Sequence, residues 1–373
     1  MGQDTIDQLM AGITSVTWQS LVMIAIGGLL ILLAIWKEYE PLLLLPIGVG
    51  AILANLPRSP LVDDGGLLTI LYEVGVGNEL FPLFIFIGIG ALTDFGPLLE
   101  NPKMVLLGAA GQFGIFLTVI LALLLGFDRN QAASIGIIGA IDGPTSIYVS
   151  GILAPELLGP ITVAAYSYMA LVPLIMPPVM RLLTTKAERS IRMPYTQREI
   201  SRRTRVLFPI IVTVAVGILV PFATPLIGCL MLGNLMRESK VVERLTHAAS
   251  NELANVVTLF LGLAIGATMK ADAFLQLGTL AILALGLLAF LLDTATGVLF
   301  GKLMNVFSGG KFNPLIGAAG ISAFPMAARV VQREASREDN SNFLLMHAMG
   351  ANAAGQVASV IAGGVLLALM GAG

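Results

Sequence analysis

The sequence predicts an all-α polytopic membrane protein, with about ten or eleven membrane segments in two inverted repeats that contain broken helices or re-entrant hairpins. Three observations carry this expectation. The 373 residues are 56% hydrophobic and 12% charged, with a mean hydropathy of +0.89, far from the composition of a soluble domain. Eight of the 21 basic residues (Arg181, Lys186, Arg189, Arg192, Arg198, Arg202, Arg203 and Arg205) fall between positions 181 and 205. An interrupted apolar segment around Asp142 is matched by a second one late in the chain.

Taken in order, the runs Trp18 to Trp36, Met104 to Phe127, Ile161 to Leu183, Val206 to Phe222 and Leu275 to Leu299 reach or approach the roughly 20 residues of a helical span. The first twenty residues carry Asp4 and Asp7 but no Lys or Arg, and lead into a full span. No cleavable signal is expected there, and the first helix should stay. The basic cluster is expected to be a cytoplasmic linker, 181–205, by the positive-inside rule. It divides a first repeat, 1–180, from a second, 206–373. With Lys37 just after the first span, the N-terminus is expected outside.

Three matches in the same order support a duplication. Leu53 to Ser59, with Asn55 and Arg58, resembles Leu232 to Ser239, with Asn234 and Arg237. Phe84 to Ala91 resembles Phe260 to Ala267. Gly136, Gly139 and Pro144 recur with the same spacing as Gly317, Gly320 and Pro325. Because the first repeat would start outside and the second inside, the halves would be inverted. The short or Gly-interrupted stretches Phe81 to Gly90, Thr258 to Thr268, the Asp142 region and Asn313 to Arg329 are candidate hairpins or broken helices. Such backbone is tolerated at membrane depth only where protein or a wet cavity satisfies it. Glu238 to Asn255 is expected as an amphipathic interfacial helix.

Asp142 is the leading candidate for chemistry. A carboxylate at the centre of a membrane helix costs about 2.5–3.5 kcal/mol on insertion scales. Its setting offers the hydroxyls of Thr145 and Ser146, and carbonyls freed where Gly143-Pro144 breaks the helical ladder. Na+ or H+ is the natural ligand, with a purely structural carboxylate as the alternative. The second interrupted segment has no acid, but it offers Asn313, Ser322 and Arg329. Arg329 is open to three readings: an ion pair with Asp142, a clamp for an anionic substrate, or a side chain reaching the interface. Asn352, between Gly350 and Gly355, is either a polar group at membrane depth or part of a small-residue packing face. Tyr168 is a structural hydrogen-bond donor or a proton donor. His247, His347 and the single Cys229 lack the spacing of a metal site or a disulfide. No phosphate-binding loop, haem motif or nucleophile elbow occurs.

These residues together resemble one family. Gly139-Ala140-Ile141-Asp142-Gly143-Pro144-Thr145-Ser146, Gly233-Asn234-Leu235-Met236-Arg237-Glu238-Ser239, Asn313-Pro314-Leu315-Ile316-Gly317 through Arg329, and the glycine-flanked Asn352 are similar to the beta subunits of biotin-dependent, sodium-pumping decarboxylases. That group acts on oxaloacetate, methylmalonyl-CoA, glutaconyl-CoA or malonate. The resemblance implies that Asp142 binds Na+ and that Asn313, Gly317, Ser322 and Asn352 take part in ion binding or coupling. It assigns coupling to Tyr168 and Arg329 as well. It further implies an alpha carboxyltransferase subunit, a biotin carrier protein or domain and a small gamma or delta membrane subunit; apolar exposed faces lead to the separate expectation of a homo-oligomer within the complex. Carboxybiotin would arrive on a partner, with Arg329 orienting its carboxylate and Asp142, Tyr168 or Ser322 serving the ion and proton steps. The implied location is a bacterial or archaeal cytoplasmic membrane. From the residues alone, a free-standing transporter of a small carboxylate coupled to Na+ or H+ is the competing expectation.

Overall fold

The computed structural model describes residue 12, residues 14–195 and residues 199–371. Asp4, Asp7 and Arg198 lie outside the described residues. Among those described, the chain is helical and contains no strand. Among the described residues, six helices are long and apolar enough to cross a bilayer, or seven if the bent pair over Leu67–Leu92 is one span. The other expected segments are shorter or interrupted.

The first half runs α1 (Trp18–Trp36), α2 (Pro41–Asn55), α3 (Leu80–Leu92), α4 (Met104–Leu124, turned at Gly111-Gln112), α5 (Arg129–Gly136), α6 (Gly143–Leu153) and α7 (Leu158–Leu183). The second half runs α8 (Arg202–Leu219), α9 (Thr224–Ser239), α10 (Ala254–Thr268), α11 (Leu277–Phe307), α12 (Met326–Glu338) and α13 (Leu345–Met370). Trp18 and Trp36 stand at the two ends of α1, 67% and 75% exposed, where an aromatic belt meets the headgroups. The apolar side chains Ile211, Ile218 and Leu219 of α8 are likewise exposed, as a lipid-facing helix requires.

Packing across the halves is reciprocal. Helix α2 lies against α10, and α3 against α9. The Asn55 amide donates to the Met269 carbonyl at the end of α10, at 2.7 Å. Asn234 of α9 does the same for the Thr93 carbonyl at the end of α3, at 3.1 Å. Each asparagine satisfies a helix-end carbonyl that would otherwise be bare in an apolar medium. Both contacts need glycine: a Cβ on Gly266 would collide with the Ile47 carbonyl, and one on Gly90 with the Leu230 carbonyl. A π-helical turn precedes α3 (Tyr72–Gly77) and another precedes α10 (Ala249–Leu253).

The second of those turns changes one expectation. Residues 243–255 do not lie separately on the interface. They run through the π turn into α10, giving one apolar helix over Glu243–Thr268. The π turn carries one extra residue without ending the helix, and the side chains of Ser250 and Asn251 both donate to the His247 carbonyl there. Thr258 to Thr268 is therefore the far end of a continuous helix. Phe81 to Gly90, by contrast, follows a bend of 62° at residues 78–79.

The basic segment gathers one face of the bundle. Arg181 pairs with Glu334 at 2.6 Å, Arg189 with Glu338 at 2.7 Å and Arg192 with Asp339 at 2.6 Å. Arg202 donates to the Ser239 carbonyl, and Lys302 to the Leu183 carbonyl. On the opposite face, Gln131 bonds to Glu156 at 3.2 Å.

Candidate functional site

Two hairpins enter the bundle from these opposite faces and touch at their tips. In the first, Asp128 opens α5 with a capping box closed by Gln131, the local signature of a helix start. After Gly136 the chain tightens into a 3-10 turn, Ile137–Ala140, and then reverses into α6. The Gln131–Glu156 bond ties the two ends of this hairpin together. In the second, Asn313 caps a 3-10 helix over Pro314–Gly320, and the chain turns back into α12. The side-chain amides of Asn313 and Asn342 both donate to the carbonyls of Arg189 and Ile191, so both ends of this hairpin hang from the basic loop.

The tips meet where Ser322 Oγ donates to the Ala140 carbonyl at 2.6 Å, with the Ser322 amide 3.2 Å from the same oxygen. Next to this contact, Ile141 holds a left-handed backbone at φ 52°, a conformation costing a β-branched residue about 1–3 kcal/mol. Asp142 follows as the N-cap of α6, 2% exposed. Its Oδ2 accepts from Thr145 Oγ1 at 2.7 Å, Ser359 Oγ at 2.9 Å and Gln356 Nε2 at 3.1 Å. Its Oδ1 accepts from the Thr145 amide at 3.3 Å. Four donors and a helix N-terminus surround this carboxyl, and it forms no ion pair with another described residue. The Tyr166 ring covers this corner, packed where a Cβ on Gly143 would sit.

Helix α13 supplies the other wall. Asn352, Gln356 and Ser359 are spaced four and three residues apart, which puts them on one helical face. Asn352 donates to the Ile321 carbonyl at 2.7 Å, leaving its buried Oδ1 without a partner. Gln112, at the turn in α4, donates to the Gly320 carbonyl at 3.2 Å, and its Oε1 is also buried and unpartnered. Unpartnered oxygens held by the backbone of the second tip, which touches the turn that precedes Asp142, suit a small hard cation.

Asp142, Ser322 and Asn352 thus share one neighbourhood, while the other expected residues stand elsewhere. Asn313 is at the base of its hairpin, on the basic-loop face. Gly317 packs against Gly297 of α11, backbone to backbone. Tyr168 donates to the Leu283 carbonyl of α11 at 2.5 Å; the tyrosine beside Asp142 is Tyr166. Arg329 is exposed on α12 and forms no ion pair with Asp142. Sequence reasoning missed Gln356 and Ser359, although continuing the helical period from Asn352 would have reached them. It also missed Asp293, a lone acid inside the apolar run Leu275 to Leu299.

A separate cavity of about 820 Å3 opens at the basic-loop face, lined by Lys103, Tyr195, Phe300, Lys311 and His347 among others. None of Asp142, Ser322, Asn352 or Arg329 lines it. Tyr195 donates to Glu100, and burial with that carboxylate pushes its hydroxyl up to about 12, so it remains a neutral donor at physiological pH.

Interrupted helices meeting beside a buried acid in an all-helical bundle are the layout of ion-translocating membrane proteins. Residues 19–370 match the Na+-transporting oxaloacetate decarboxylase beta subunit family, and the chain belongs to that family of membrane subunits of sodium-pumping decarboxylases. It is 53% identical to the glutaconyl-CoA decarboxylase subunit beta of Acidaminococcus fermentans, over 97% of this chain and 96% of that one. It is 52% identical to the methylmalonyl-CoA decarboxylase subunit beta of Veillonella parvula, over 96% and 95%. Identity to the oxaloacetate decarboxylase beta chain of Klebsiella pneumoniae is 50%, over 93% and 94%.

Proposed function

We propose that this chain decarboxylates carboxybiotin carried in by a partner subunit and couples that reaction to Na+ export across a prokaryotic cytoplasmic membrane. The observation that carries the proposal is Asp142: a buried acid with neutral donors and no ion-pair partner among the described residues, where hairpins from opposite faces meet. Asp142 is the sodium ligand, with Ser322 and the free Oδ1 of Asn352 completing the site as the tips move. The hydroxyls of Thr145 and Ser359 can turn their lone pairs to a cation, since each now spends its proton on Asp142. Asn313 and Gly317 act on the site through the hairpin that carries Ser322, by anchoring its base and seating it on α11.

The two halves act as inverted repeats. Their exchange of outward and inward access would move Na+ against a membrane potential, at about 2.3 kcal/mol per charge per 100 mV. Decarboxylation supplies that energy and leaves a biotin anion that takes up a proton. Arg329, in the first turn of α12 beyond the hairpin tip and without an ion pair among the described residues, fits the carboxylate of the incoming group. Lys103 and Lys311 at the mouth of the cavity suit the same anion. Substrate choice would rest with a carboxyltransferase subunit, a reading supported by near-equal identity to relatives named for three different substrates. A biotin carrier and a small membrane subunit complete the expected assembly.

The test is Na+-dependent release of CO2 from free carboxybiotin by the purified membrane complex, with capture of the complex on avidin through its biotinylated partner. Release that is indifferent to Na+, or a chain that purifies without any biotinylated protein, would overturn the reading.

A further inference from the structure

A second acid lies inside the membrane bundle. Asp293, on α11, is 0% exposed and takes part in no ion pair among the described residues. Its Oδ1 accepts from the Gly114 amide, at the start of the second part of α4. Its Oδ2 is buried with no hydrogen-bond partner. That free oxygen faces the first hairpin: a Cβ added to Gly139 would stand 2.6 Å from Oδ2, and one added to Gly114 would stand 2.6 Å from Oδ1. The carboxyl is held between two glycines, one of them three residues before Asp142.

The neighbouring elements bring no counter-charge. Helix α4 and the 3-10 turns Ile137–Ala140 and Pro314–Gly320 contain no titratable side chain. On α5 the only charge is Arg129, in its first turn; on α7, Tyr168 is committed to the Leu283 carbonyl, Tyr166 packs on Gly143 and Arg181, in the last turn, pairs with Glu334. Asp142 directs its oxygens to Thr145, Gln356 and Ser359. An ionised carboxylate with a bare oxygen is far more costly here than a neutral one. A metal cation collects several ligands, and among the described residues no group of three or more His, Cys, Asp or Glu side chains gathers to hold one.

We propose that Asp293 is a proton site distinct from the sodium site at Asp142: Oδ2 carries a proton in this conformation and releases it to water when the first hairpin withdraws Gly139. Only the O–H bond is made and broken, so no other reactant enters. The inference rests on the reading that this chain moves cations, and it adds to that reading the group holding the proton side of the exchange.

The test is infrared difference spectroscopy of the whole complex in vesicles, in H2O and D2O, on addition of Na+. A protonated-carboxyl band that shifts in D2O and changes with Na+ is expected in the native complex and in Asp142→Asn without Na+ response, and is expected to vanish in Asp293→Asn. A band that survives in Asp293→Asn, or one inert to both D2O and Na+ in the native complex, would overturn the proposal. Should Asp293→Asn fail to assemble, a hydrophobic carbodiimide, which reacts with protonated carboxyls, is expected to label Asp293 of the native complex; no adduct there at any pH overturns it. Absence of sodium uptake by the native complex would instead count against the pump, and is read in a separate assay.

Discussion

The two hairpins share a layout and differ in what they hold. The tip of the first is charged and strained, with Ile141 left-handed and Asp142 wrapped by four donors. The tip of the second is neutral and relaxed: Ile321 is extended, at φ −74° and ψ 163°, and the polar group offered is the Ser322 hydroxyl. The bases differ in the reverse sense. A single Gln131–Glu156 bond joins the ends of the first, whereas Asn313, Asn342 and the Arg181, Arg189 and Arg192 ion pairs bind the second to the basic loop. On the proposed function, the first hairpin would hold the ion and the second would carry position from the basic-loop face.

The sharpest way to break this comparison is Asp142→Asn. The amide keeps one acceptor but sets an NH2 group against Gln356, Ser359 and Thr145, and it removes the charge. Sodium uptake by reconstituted vesicles is expected to fall about 100-fold, or ~2.7 kcal/mol in barrier terms, with the helical content unchanged by circular dichroism. Uptake within twofold of the native complex would mean that the carboxylate only caps α6.

Next in size is the anchor of the second hairpin. Asn313→Ala removes two donors from buried loop carbonyls and a cap from the Leu315 amide. Each unsatisfied group costs about 1–3 kcal/mol, while Asn342 still reaches both carbonyls. A loss of roughly 2 kcal/mol is expected, measured as a lower thermal midpoint, with CO2 release losing its dependence on Na+ before it loses rate. An equal fall of both would place Asn313 in folding alone.

Ser322→Ala is milder, because the Ser322 amide still donates to the Ala140 carbonyl and no group is left bare. Losing one hydrogen bond of ~1 kcal/mol should raise the sodium concentration for half-maximal activity about fivefold. An unchanged half-saturation point would show that the tips touch without sharing the ion.

How much of this was open to sequence reasoning follows from range. The spans, the basic loop and the duplicated Gly-Pro pattern are local signals of hydropathy and backbone permission, and the all-helical membrane fold followed from them. Asp142 was visible because one charge in an apolar run is costly whatever surrounds it. The same rule applied to Asp293, but it was overlooked because no glycine or proline breaks its helix. Which tyrosine packs beside Asp142 depends on how α7 meets its neighbours: Tyr166 lies against Gly143, while Tyr168, two residues on, bonds to the Leu283 carbonyl. The interfacial helix failed for a local reason that hydropathy cannot see: a π turn carries Glu243–Ala248 into α10 without a break.

The smallest expected effect concerns the outer rim of the second anchor, where Arg192 meets Asp339. The hydrogen bond from Arg192, with help from Ser341, holds the Asp339 carboxyl down to about 2, against an ordinary value of 3.8. A depressed carboxylate contributes stability that is fully present above the unfolded value and is lost as pH falls through the folded one. The contribution should therefore be intact at pH 6, shrink below pH 4 and be gone by about pH 2. The pair is solvent-exposed and screened, so the effect is expected to be slight. Thermal midpoints of native protein and Asp339→Asn should differ by a small amount at pH 6, and that difference should close as the medium is acidified. If it stayed constant, the rim pair would be a surface contact without influence on how the second hairpin is held, and the anchoring would rest on Asn313, Asn342 and the more protected Arg189–Glu338 pair.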